Sequence, residues 1–216
     1  MKTAVQCDFD GTITEEDVSF LLLDAFAEGD WRAVLKEYMS GRISVGAFNT
    51  RAFAMVKAEK QALVDFVLKS EKARVRPGFR ELVDYCSRQG LKFTIVSNGL
   101  DFYINTMLTH LCLDGIEVHA ARSRFRSEGM EVAYIGPDGD RLEAGFKEAH
   151  TRRLRQEGYD VVYVGNGLSD IYPARLARHV FATGDLIKRC REEKVPYTPF
   201  NDFNDVVSGL EKLGIG

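Results

Sequence analysis

The sequence predicts an α/β fold in which a doubly wound parallel sheet carries a small helical cap inserted after its first strand. Short apolar runs rich in β-branched residues alternate with longer segments of helical period, as parallel strands and crossover helices do. A block of successive helix-like segments interrupts this alternation near the N-terminus, and the alternation resumes after Pro77-Gly78. We therefore expect a catalytic core formed by residues 1–14 and 76–216, with residues 15–75 as the cap.

Four segments are predicted to be strands of this sheet. They are TAVQCDF (3–9), LKFTIVS (91–97), DVVYVGN (160–166) and HVFAT (179–183). The first three end in Asp, Ser or Asn beside glycine, and ligands of open parallel sheets gather at the carboxyl ends of the strands. The functional site is therefore expected at these strand ends. A polar stretch between Ile116 and Arg141, which includes GPDGD, is predicted to form a β-hairpin.

Helical periodicity predicts the remaining elements. The cap is expected to contain four helices, within EEDVSFLLLDAFAEGD, WRAVLKEYMS, SVGAFNTRAFAMV and KQALVDFVLKS. The core is expected to contain helices within FRELVDYCSRQG, EAGFKEAHTRRLRQEG and the closing segment NDFNDVVSGLEKLG. The cap helices thus follow one another without an intervening strand, which is why they are assigned to an insert.

Composition excludes several classes of protein. A chain of 216 residues with 45% apolar residues can bury a core, and its net charge of −3 is made of interspersed signs, so no basic face favours nucleic acid. Asp8 and Asp24 interrupt the most apolar stretches, which argues against a signal peptide or a membrane span. The four cysteines lack a Cys-x-x-Cys pair and are predicted to be buried, reduced thiols: Cys7, Cys86, Cys112 and Cys190. We expect a cytoplasmic protein without nucleic-acid or membrane partners.

Two carboxylates follow the first predicted strand, in the segment DFDGT. Asp8 and Asp10 are separated by one residue, so in extended chain they point to the same side and can face one reacting centre. One could attack phosphorus while the other donates a proton to the leaving oxygen and later accepts one from water. Gly11 leaves the backbone amides open to phosphate oxygens, and Thr12 can tie the turn. An isolated Asp-x-Asp-Gly is more often an acidic turn that caps a helix.

Three further segments add chemistry to this pair. Ser97 and Asn98 end the second predicted strand just before a helix, where a hydroxyl and free amides can bind phosphate. Lys147 lies in the first turns of a predicted helix and could neutralise phosphoryl oxygens and an ionised nucleophile. The loop GNGLSD offers the oxygen atoms of Asn166 and Asp170 to a hard cation. Each segment alone is an ordinary helix cap, surface lysine or turn.

Together and in this order, the four segments resemble the four motifs of the haloacid-dehalogenase superfamily, and the resemblance covers essentially the whole chain. It implies a haloacid-dehalogenase-like, Rossmann-like core with Asp8 as the nucleophile and Asp10 as the general acid/base. The residues expected to contact the phosphate group are Gly11, Thr12, Ser97, Asn98 and Lys147. The resemblance also implies Mg²⁺, held by Asp8, the Asp10 carbonyl and the fourth motif. That motif departs from the family, because Asn166 stands where an aspartate is usual and adds no charge to the metal site.

The cap placement and the fourth motif resemble the phosphoserine-phosphatase branch of the superfamily. DFDGTIT followed by Asp17, the SGRISVGAF segment and the PYTPFNDFNDV tail resemble the methionine-salvage phosphatases, which act on a 2-hydroxy-3-keto-5-methylthiopentenyl phosphate. Asp17 falls where related phosphoserine phosphatases carry a glutamate that reads the substrate amine, which counts against phosphoserine. Asp17 and Arg51 are the candidate specificity residues of the cap.

The resemblance implies a magnesium-dependent phosphatase that acts on a small phosphorylated metabolite through an aspartyl-phosphate. Phosphoserine phosphatase or another small phosphomonoesterase is the alternative within this class. A dehalogenase needs no acid such as Asp10, since halide leaves without a proton. A module that holds phosphoaspartate or metal without turnover, like a signalling receiver domain, is the alternative from another class, but such a domain has its acceptor in mid-chain and lacks a cap. The oligomeric state is left open by the sequence.

Overall fold

One eight-stranded sheet runs through the protein in a computed structural model that describes residues 2–215. The strands are β1 (Lys2–Cys7), β2 (Lys92–Leu100), β3 (Glu117–Arg126), β4 (Gly129–Ile135), β5 (Arg141–Leu142), β6 (Tyr159–Gly165), β7 (His179–Ala182) and β8 (Thr198–Pro199). Their order in the sheet is β5-β4-β3-β2-β1-β6-β7-β8. Five neighbouring pairs are parallel: β3–β2, β2–β1, β1–β6, β6–β7 and β7–β8. The pairs β3–β4 and β4–β5 are antiparallel. The predicted α/β fold with a doubly wound parallel sheet is confirmed.

Helices surround the sheet and form a block between β1 and β2. They are α1 (Val18–Phe26), α2 (Trp31–Met39), α3 (Val45–Phe53), α4 (Lys60–Lys69), α5 (Phe79–Arg88), α6 (Asp101–His110), α7 (Phe146–Gln156), α8 (Ile171–Ala174), α9 (Gly184–Glu193) and α10 (Phe203–Lys212). Asp17, Asp30 and Ser44 accept hydrogen bonds from backbone amides in the first turns of α1, α2 and α3. These side chains satisfy amides that have no partner within the helix, and so fix where each helix begins.

The four predicted strands correspond to β1, β2, β6 and β7, and all seven predicted helices are present. A hairpin also forms between Ile116 and Arg141, with Arg126 paired to Gly129. GPDGD forms the turn of a second hairpin, between the antiparallel strands β4 and β5, where Gly136 N donates to the Asp140 carbonyl at 2.8 Å. Helix α9 and strand β8 were not predicted.

The chain leaves the sheet and returns to it through two adjacent segments. Glu15 N donates to the Arg74 carbonyl at 2.9 Å, and Arg76 N donates to the Ile13 carbonyl at 2.7 Å. Helices α1 to α4 lie between these segments in the sequence and pack on the core, α4 against α6 and α3 against β4. The division at residues 15 and 76 stays a prediction. Residues 1 and 216, the outer ends of the predicted core, lie outside the described residues.

Burial agrees with the prediction for three of the four cysteines. Cys7, Cys86 and Cys190 are buried, but Cys112 is exposed, so the prediction was wrong for that residue. Cys112 lies in the turn after α6 with a positive φ of 56°, and no apolar face of a helix or strand carries it inward. Among residues 2–215, no helix combines the length and the apolar character needed to cross a bilayer.

Candidate active site

The polar residues at the strand ends meet in one buried cluster. Asp8 and Asp10 follow β1, Ser97 lies near the end of β2, and Asp170 follows β6. The exposed fractions of the three aspartates are 4%, 9% and 0%. Because β2, β1 and β6 are neighbours in the sheet and parallel, their carboxyl ends deliver these side chains to the same edge.

Lys147 is the cation at the centre of this cluster. It lies in the first turn of α7 and is 5% exposed. Its Nζ lies 2.6 Å from Asp8 Oδ1 and 2.6 Å from Asp170 Oδ1. Burial alone would lower the pKa of Lys147, but the Asp170 and Asp8 carboxylates outweigh it and raise the pKa above its ordinary value. The ammonium group is therefore charged at neutral pH.

Asp170 anchors this lysine. Its Oδ1 accepts a hydrogen bond from the Tyr163 hydroxyl at 2.6 Å, and its Oδ2 accepts from the backbone amides of Asn166 (2.9 Å) and Gly167 (2.8 Å). Burial would raise the pKa of Asp170, but Lys147 and these hydrogen bonds lower it below its ordinary value. Asp170 is thus a fixed anion whose oxygens are already engaged by protein groups.

Asp8 has one oxygen held and one less engaged. Oδ1 contacts Lys147, whereas Oδ2 lies 3.5 Å from the Thr12 hydroxyl, a long contact. The Asp8 backbone amide donates to the Val164 carbonyl at 2.9 Å, which extends the β1–β6 pairing by one residue and fixes the direction of the side chain. Burial raises the pKa of Asp8 to about 7, Asp170 adds to this rise, and Lys147 opposes it. Asp8 can therefore present one carboxylate oxygen to an incoming group.

Asp10 is hydrogen-bonded through both oxygens. Oδ1 accepts from the backbone amide of Val18 at 3.0 Å, and Oδ2 accepts from the Tyr103 hydroxyl at 2.6 Å. Ser97 Oγ lies 3.4 Å from the same Oδ2. Burial raises the pKa of Asp10 to about 7, and the Asp17 carboxylate reinforces the rise. A carboxyl group with this pKa can both donate and accept a proton near neutral pH.

Gly11 and Asn166 are matched in space. Gly11 has a φ of +70°, and a Cβ built on it would lie 2.2 Å from Asn166 Nδ2. Thr12 Oγ1 donates to Asn166 Oδ1 at 3.0 Å. The side chain of Asn166 thus lies directly against the backbone after β1, so only glycine fits at position 11, both for its backbone conformation and for its contact.

The end of β2 is tied to the cap and to β4. Asn98 Nδ2 donates to Ser169 Oγ at 3.2 Å. The Asn98 carbonyl accepts from Asn49 Nδ2 of α3 at 2.9 Å and from the Tyr134 hydroxyl of β4 at 2.6 Å. Ser97, which is 1% exposed, precedes Asn98 in the same strand. The backbone at the end of β2 is therefore preorganised by contacts from three elements.

The two candidate specificity residues are placed differently. Asp17 caps α1 by accepting from Phe20 N at 2.9 Å, and burial raises its pKa to about 6. Its charge is close enough to contribute to the pKa of Asp10. Arg51, by contrast, forms two hydrogen bonds to Glu37 of α2, at 2.7 and 3.1 Å, on the exposed surface of the cap. The structure brings Asp17 to the cluster and leaves Arg51 outside it.

An open cleft leads to Lys147 from the surface between the cap and the core. Its volume is about 1030 Å³. The cap contributes Tyr38, Ile43 and Val45 to its walls, and the core contributes Phe146 and Tyr172. Charged side chains line it as well: Arg42 from the cap and Glu148, Asp185, Lys188, Arg189 and Glu192 from the core. The cleft therefore has both apolar and charged walls, with Lys147 at one end.

Tyrosines are the site residues that sequence reasoning missed. Tyr38 stacks on Phe48 of α3 with ring centroids 5.7 Å apart and lines the cleft. Burial raises the pKa of the Tyr38 phenol, Lys147 opposes the rise, and Asp170 reinforces it. Tyr38 of the cap is therefore close enough to interact with the charges of the cluster. Tyr103 and Tyr163 donate to Asp10 and Asp170. A tyrosine on a helix or strand gives the same sequence pattern as a core residue, so only the fold reveals these partners.

Comparison with known proteins identifies the family. The model of the haloacid dehalogenase-like hydrolase family matches residues 5–175. The chain belongs to this family. It is 35% identical over 214 residues to the 2-hydroxy-3-keto-5-methylthiopentenyl-1-phosphate phosphatase of Geobacillus thermodenitrificans, which covers 97% of this chain and 96% of the relative. The phosphatase of the same name from Brevibacillus brevis is 28% identical over 218 residues, or 98% of this chain and 96% of the relative.

Solved structures support the same fold. A phosphoserine phosphatase with an analogue of its phospho-aspartyl intermediate has a TM-score of 0.69 at 20% identity and covers 96% of this haloacid dehalogenase-like chain and 98% of its own. Phosphoserine phosphatase from T. onnurineus has a TM-score of 0.70 at 18% identity, covering 97% and 94%. The family and the phosphatase relatives confirm that the chain is an enzyme, a phosphatase that hydrolyses phosphoric monoesters. The predicted superfamily is likewise confirmed.

Proposed function

We propose that this phosphatase hydrolyses 2-hydroxy-3-keto-5-methylthiopentenyl-1-phosphate through an aspartyl-phosphate on Asp8. The observation that carries the chemistry is the buried cluster in which Lys147 bridges Asp8 and Asp170 while Asp10 lies on the same strand end. The full-length similarity to relatives named for that substrate supports its identity. The substrate is the small phosphorylated metabolite expected from the sequence.

The first step joins Asp8 to phosphorus. Asp8 Oδ2, the oxygen not held by Lys147, attacks the phosphoryl group, and the bond from phosphorus to the substrate oxygen breaks. Asp10 in its protonated form gives its proton to that leaving oxygen. Lys147 offsets the repulsion between the anionic nucleophile and the anionic ester. The Ser97 hydroxyl and the backbone amides at the end of β2 bind phosphoryl oxygens.

The second step returns the enzyme to its starting state. Asp10, now a carboxylate, accepts a proton from a water molecule that attacks phosphorus. The bond between phosphorus and Asp8 Oδ2 breaks, which releases inorganic phosphate and restores the Asp8 carboxylate. A pKa of about 7 for Asp10 suits both roles, because each protonation state is accessible at neutral pH.

The charge balance of the cluster fits a divalent cation. Among residues 2–215, no three side chains of His, Cys, Asp or Glu are spaced to enclose a metal ion. The proposed ligands of Mg²⁺ are a mixed set rather than a carboxylate cluster. They are the side chains of Asp8, Asn166 and Asp170 and the backbone carbonyl of Asp10. Three buried aspartates face one buried lysine, so negative charge is in excess. Burial raises the pKa of Asp8 to about 7, and the Asp170 carboxylate adds to the rise. Mg²⁺ would neutralise this charge and polarise the phosphoryl oxygens when bound.

Removal of Mg²⁺ is expected to abolish activity, and one substitution should change the metal affinity. Asn166→Asp restores a carboxylate beside Asp8, so we expect the concentration of Mg²⁺ that gives half-maximal rate to fall about tenfold. The measurement is phosphate release after treatment with EDTA, followed by titration with MgCl₂. Asn105→Asp, which adds the same charge on the exposed face of α6, is the matched control and should leave the titration unchanged. Equal Mg²⁺ titrations for Asn166→Asp and the parent protein would contradict the assignment of Asn166.

The apolar part of the cleft wall suits a leaving group with an apolar tail. Tyr38 and Ile43 from the cap face Phe146 from the core, which suits a methylthioalkyl chain. Phosphoserine carries a carboxylate and an ammonium group in place of that chain. Arg51, the candidate cap cation, is already engaged by Glu37 at the surface. Burial of the phosphoserine groups against these apolar side chains would cost free energy that the methylthio group does not. The same cleft also holds Arg42, Lys188 and Arg189, which can pair with a carboxylate, so the relatives' substrate and the panel below decide between the two esters.

A panel of phosphomonoesters tests the substrate. We expect kcat/KM for the methylthiopentenyl phosphate to exceed that for phosphoserine, phosphocholine and pyridoxal phosphate by at least about tenfold, since apolar contacts of one or two methylene groups discriminate by that factor. Phosphate release with Mg²⁺ is the measurement, and a reaction without enzyme sets the background. A kcat/KM for phosphoserine equal to or above that of the methylthio substrate would overturn the substrate assignment and leave the phosphatase activity intact.

A further inference from the structure

Tyr103 makes a short hydrogen bond to the proposed proton carrier. It lies on α6 and is 0% exposed, and its hydroxyl oxygen is 2.6 Å from Asp10 Oδ2. Ser19 Oγ of α1 is 2.9 Å from the same hydroxyl. A phenol has a single proton, and an ionised carboxylate can only accept one. While Asp10 is ionised, Tyr103 therefore donates to Asp10, and Ser19 donates to Tyr103, which forms a directed chain from the cap to the carboxylate.

The second oxygen of Asp10 is fixed from the same helix. Val18 and Ser19 form the start of α1, and the Val18 amide donates to Asp10 Oδ1 at 3.0 Å. The cap thus reaches one oxygen directly and the other through Tyr103. With a donor on each oxygen, rotation of the Asp10 carboxyl group would break at least one hydrogen bond, so its plane is defined.

The packing leaves no room for another arrangement. A Cβ built on Gly99 would lie 2.0 Å from the Tyr103 hydroxyl and 2.1 Å from Asp10 Oδ2. The backbone at the end of β2 therefore packs directly against the Tyr103–Asp10 hydrogen bond.

We infer that Tyr103 is a positioning residue, which with Ser19 holds the Asp10 carboxyl group in the orientation needed for proton transfer to the leaving oxygen. The inference rests on the proposed function, because it assigns to Asp10 the role of acid. Tyr103 itself does not touch the substrate. Loss of the Tyr103 hydroxyl should therefore slow hydrolysis most for esters whose leaving group must be protonated, and least for esters whose leaving group departs without a proton.

The test compares two esters of similar size in the Tyr103→Phe variant with Mg²⁺ present. Phenyl phosphate has a basic leaving group that needs protonation, whereas p-nitrophenyl phosphate has a weakly basic one that leaves with little help. We expect kcat/KM for phenyl phosphate to fall about tenfold to a hundredfold, and that for p-nitrophenyl phosphate to fall less than about threefold. The parameter kcat/KM is chosen because it covers the steps up to leaving-group release.

Two further variants separate positioning from folding. Tyr85→Phe removes the hydroxyl of another buried tyrosine, which donates to the Ile215 carbonyl at 2.7 Å, and should change neither ester. Ser19→Ala removes the outer bond of the chain without altering Tyr103, so it reports on the same device if Tyr103→Phe fails to fold. It should slow phenyl phosphate about twofold to fivefold and leave p-nitrophenyl phosphate nearly unchanged.

The outcomes also distinguish this inference from the proposed function. Both aryl esters are independent of the physiological substrate, so an error in that assignment does not affect the test. Equal losses on the two esters in both Tyr103→Phe and Ser19→Ala, or no loss in either, would overturn the inference while the phosphatase mechanism stands. Asp10→Asn should show the same preference with a larger loss. If it slowed both esters equally, the role of Asp10 would fall, and the inference with it.

Discussion

Replacement of Asp8 by Asn is expected to abolish phosphate release, with a fall in kcat of at least about 10⁴-fold for every ester tested. The amide of Asn has the shape of the carboxylate but no ionised oxygen with which to attack phosphorus. Asp8 is buried and contacts Lys147. Asp10 cannot replace it as the nucleophile, because both oxygens of Asp10 already accept hydrogen bonds. The measurement is the rate of inorganic phosphate release with saturating Mg²⁺.

The control for this variant is Asp24→Asn, which changes an exposed aspartate of α1 that pairs with Arg32 and should keep full activity. Rapid acid quenching with labelled substrate gives a second readout: the parent protein should carry protein-bound phosphate during turnover and the Asp8→Asn variant none. Retention of more than about 1% of the parental kcat by Asp8→Asn would show that Asp8 is not the nucleophile.

Replacement of Lys147 by Met is expected to reduce both stability and activity. Lys147 is the ammonium group between Asp8 and Asp170, which are 4% and 0% exposed, so its loss leaves two carboxylates buried without a cation. Such a loss typically lowers the free energy of unfolding by about 3–5 kcal/mol. We also expect kcat to fall about 10²-fold to 10³-fold, because a donor aimed at the phosphoryl oxygens is lost. Urea denaturation at pH 8 in EDTA measures the stability.

The stability difference should depend on pH. Burial already raises the folded-state pKa of Asp8, and Lys147 opposes that rise. Without Lys147 the pKa of Asp8 rises further above its unfolded value, so the folded variant binds protons more tightly and gains stability as pH falls. At pH 5.5 the deficit should therefore be smaller than at pH 8 by at least about 1 kcal/mol. Arg152→Met is the matched control on the same helix, since Arg152 forms an exposed pair with Glu148 and its loss should change stability little at either pH. A deficit for Lys147→Met that is the same at both pH values would contradict the assignment of charge to the cluster.

The central part of the fold was predictable because its sequence signals are local and strong. Strand β1 is buried on both faces of the sheet and therefore reads as an apolar run, and the cap helices begin at Asp17, Asp30 and Ser44, which are preferred capping residues. Helix α9 was missed because GDLIKRCREE is mostly charged and buries only Leu186 and Cys190. Strand β8 has two residues, too few for any period to show.

The candidate site was predictable only in part, for a physical reason. Residues that end strands carry a positional signal, so Asp8, Ser97 and Asp170 could be expected at one edge of the sheet. The side chains that orient them carry no such signal. Tyr103 acts from the buried face of a helix 93 residues away from Asp10 in the chain, and its partner is set by tertiary packing alone. Arg51 was a candidate specificity residue, although an arginine on an amphipathic helix more often packs at the surface, and in the structure it pairs with Glu37 of the adjacent helix.

The paired segments at residues 13–15 and 74–76 have a consequence for how this enzyme could change over evolutionary time. Because the backbone departs from the sheet and rejoins it at hydrogen-bonded neighbours, whatever lies between them closes a loop whose ends are already together. The entropy of closing such a loop grows only slowly with its length, so inserts of different size and composition can be exchanged at this point with little penalty to the rest of the chain. New substrates could then be acquired through replacement of the lid alone, while the reactive centre beneath it is inherited unchanged.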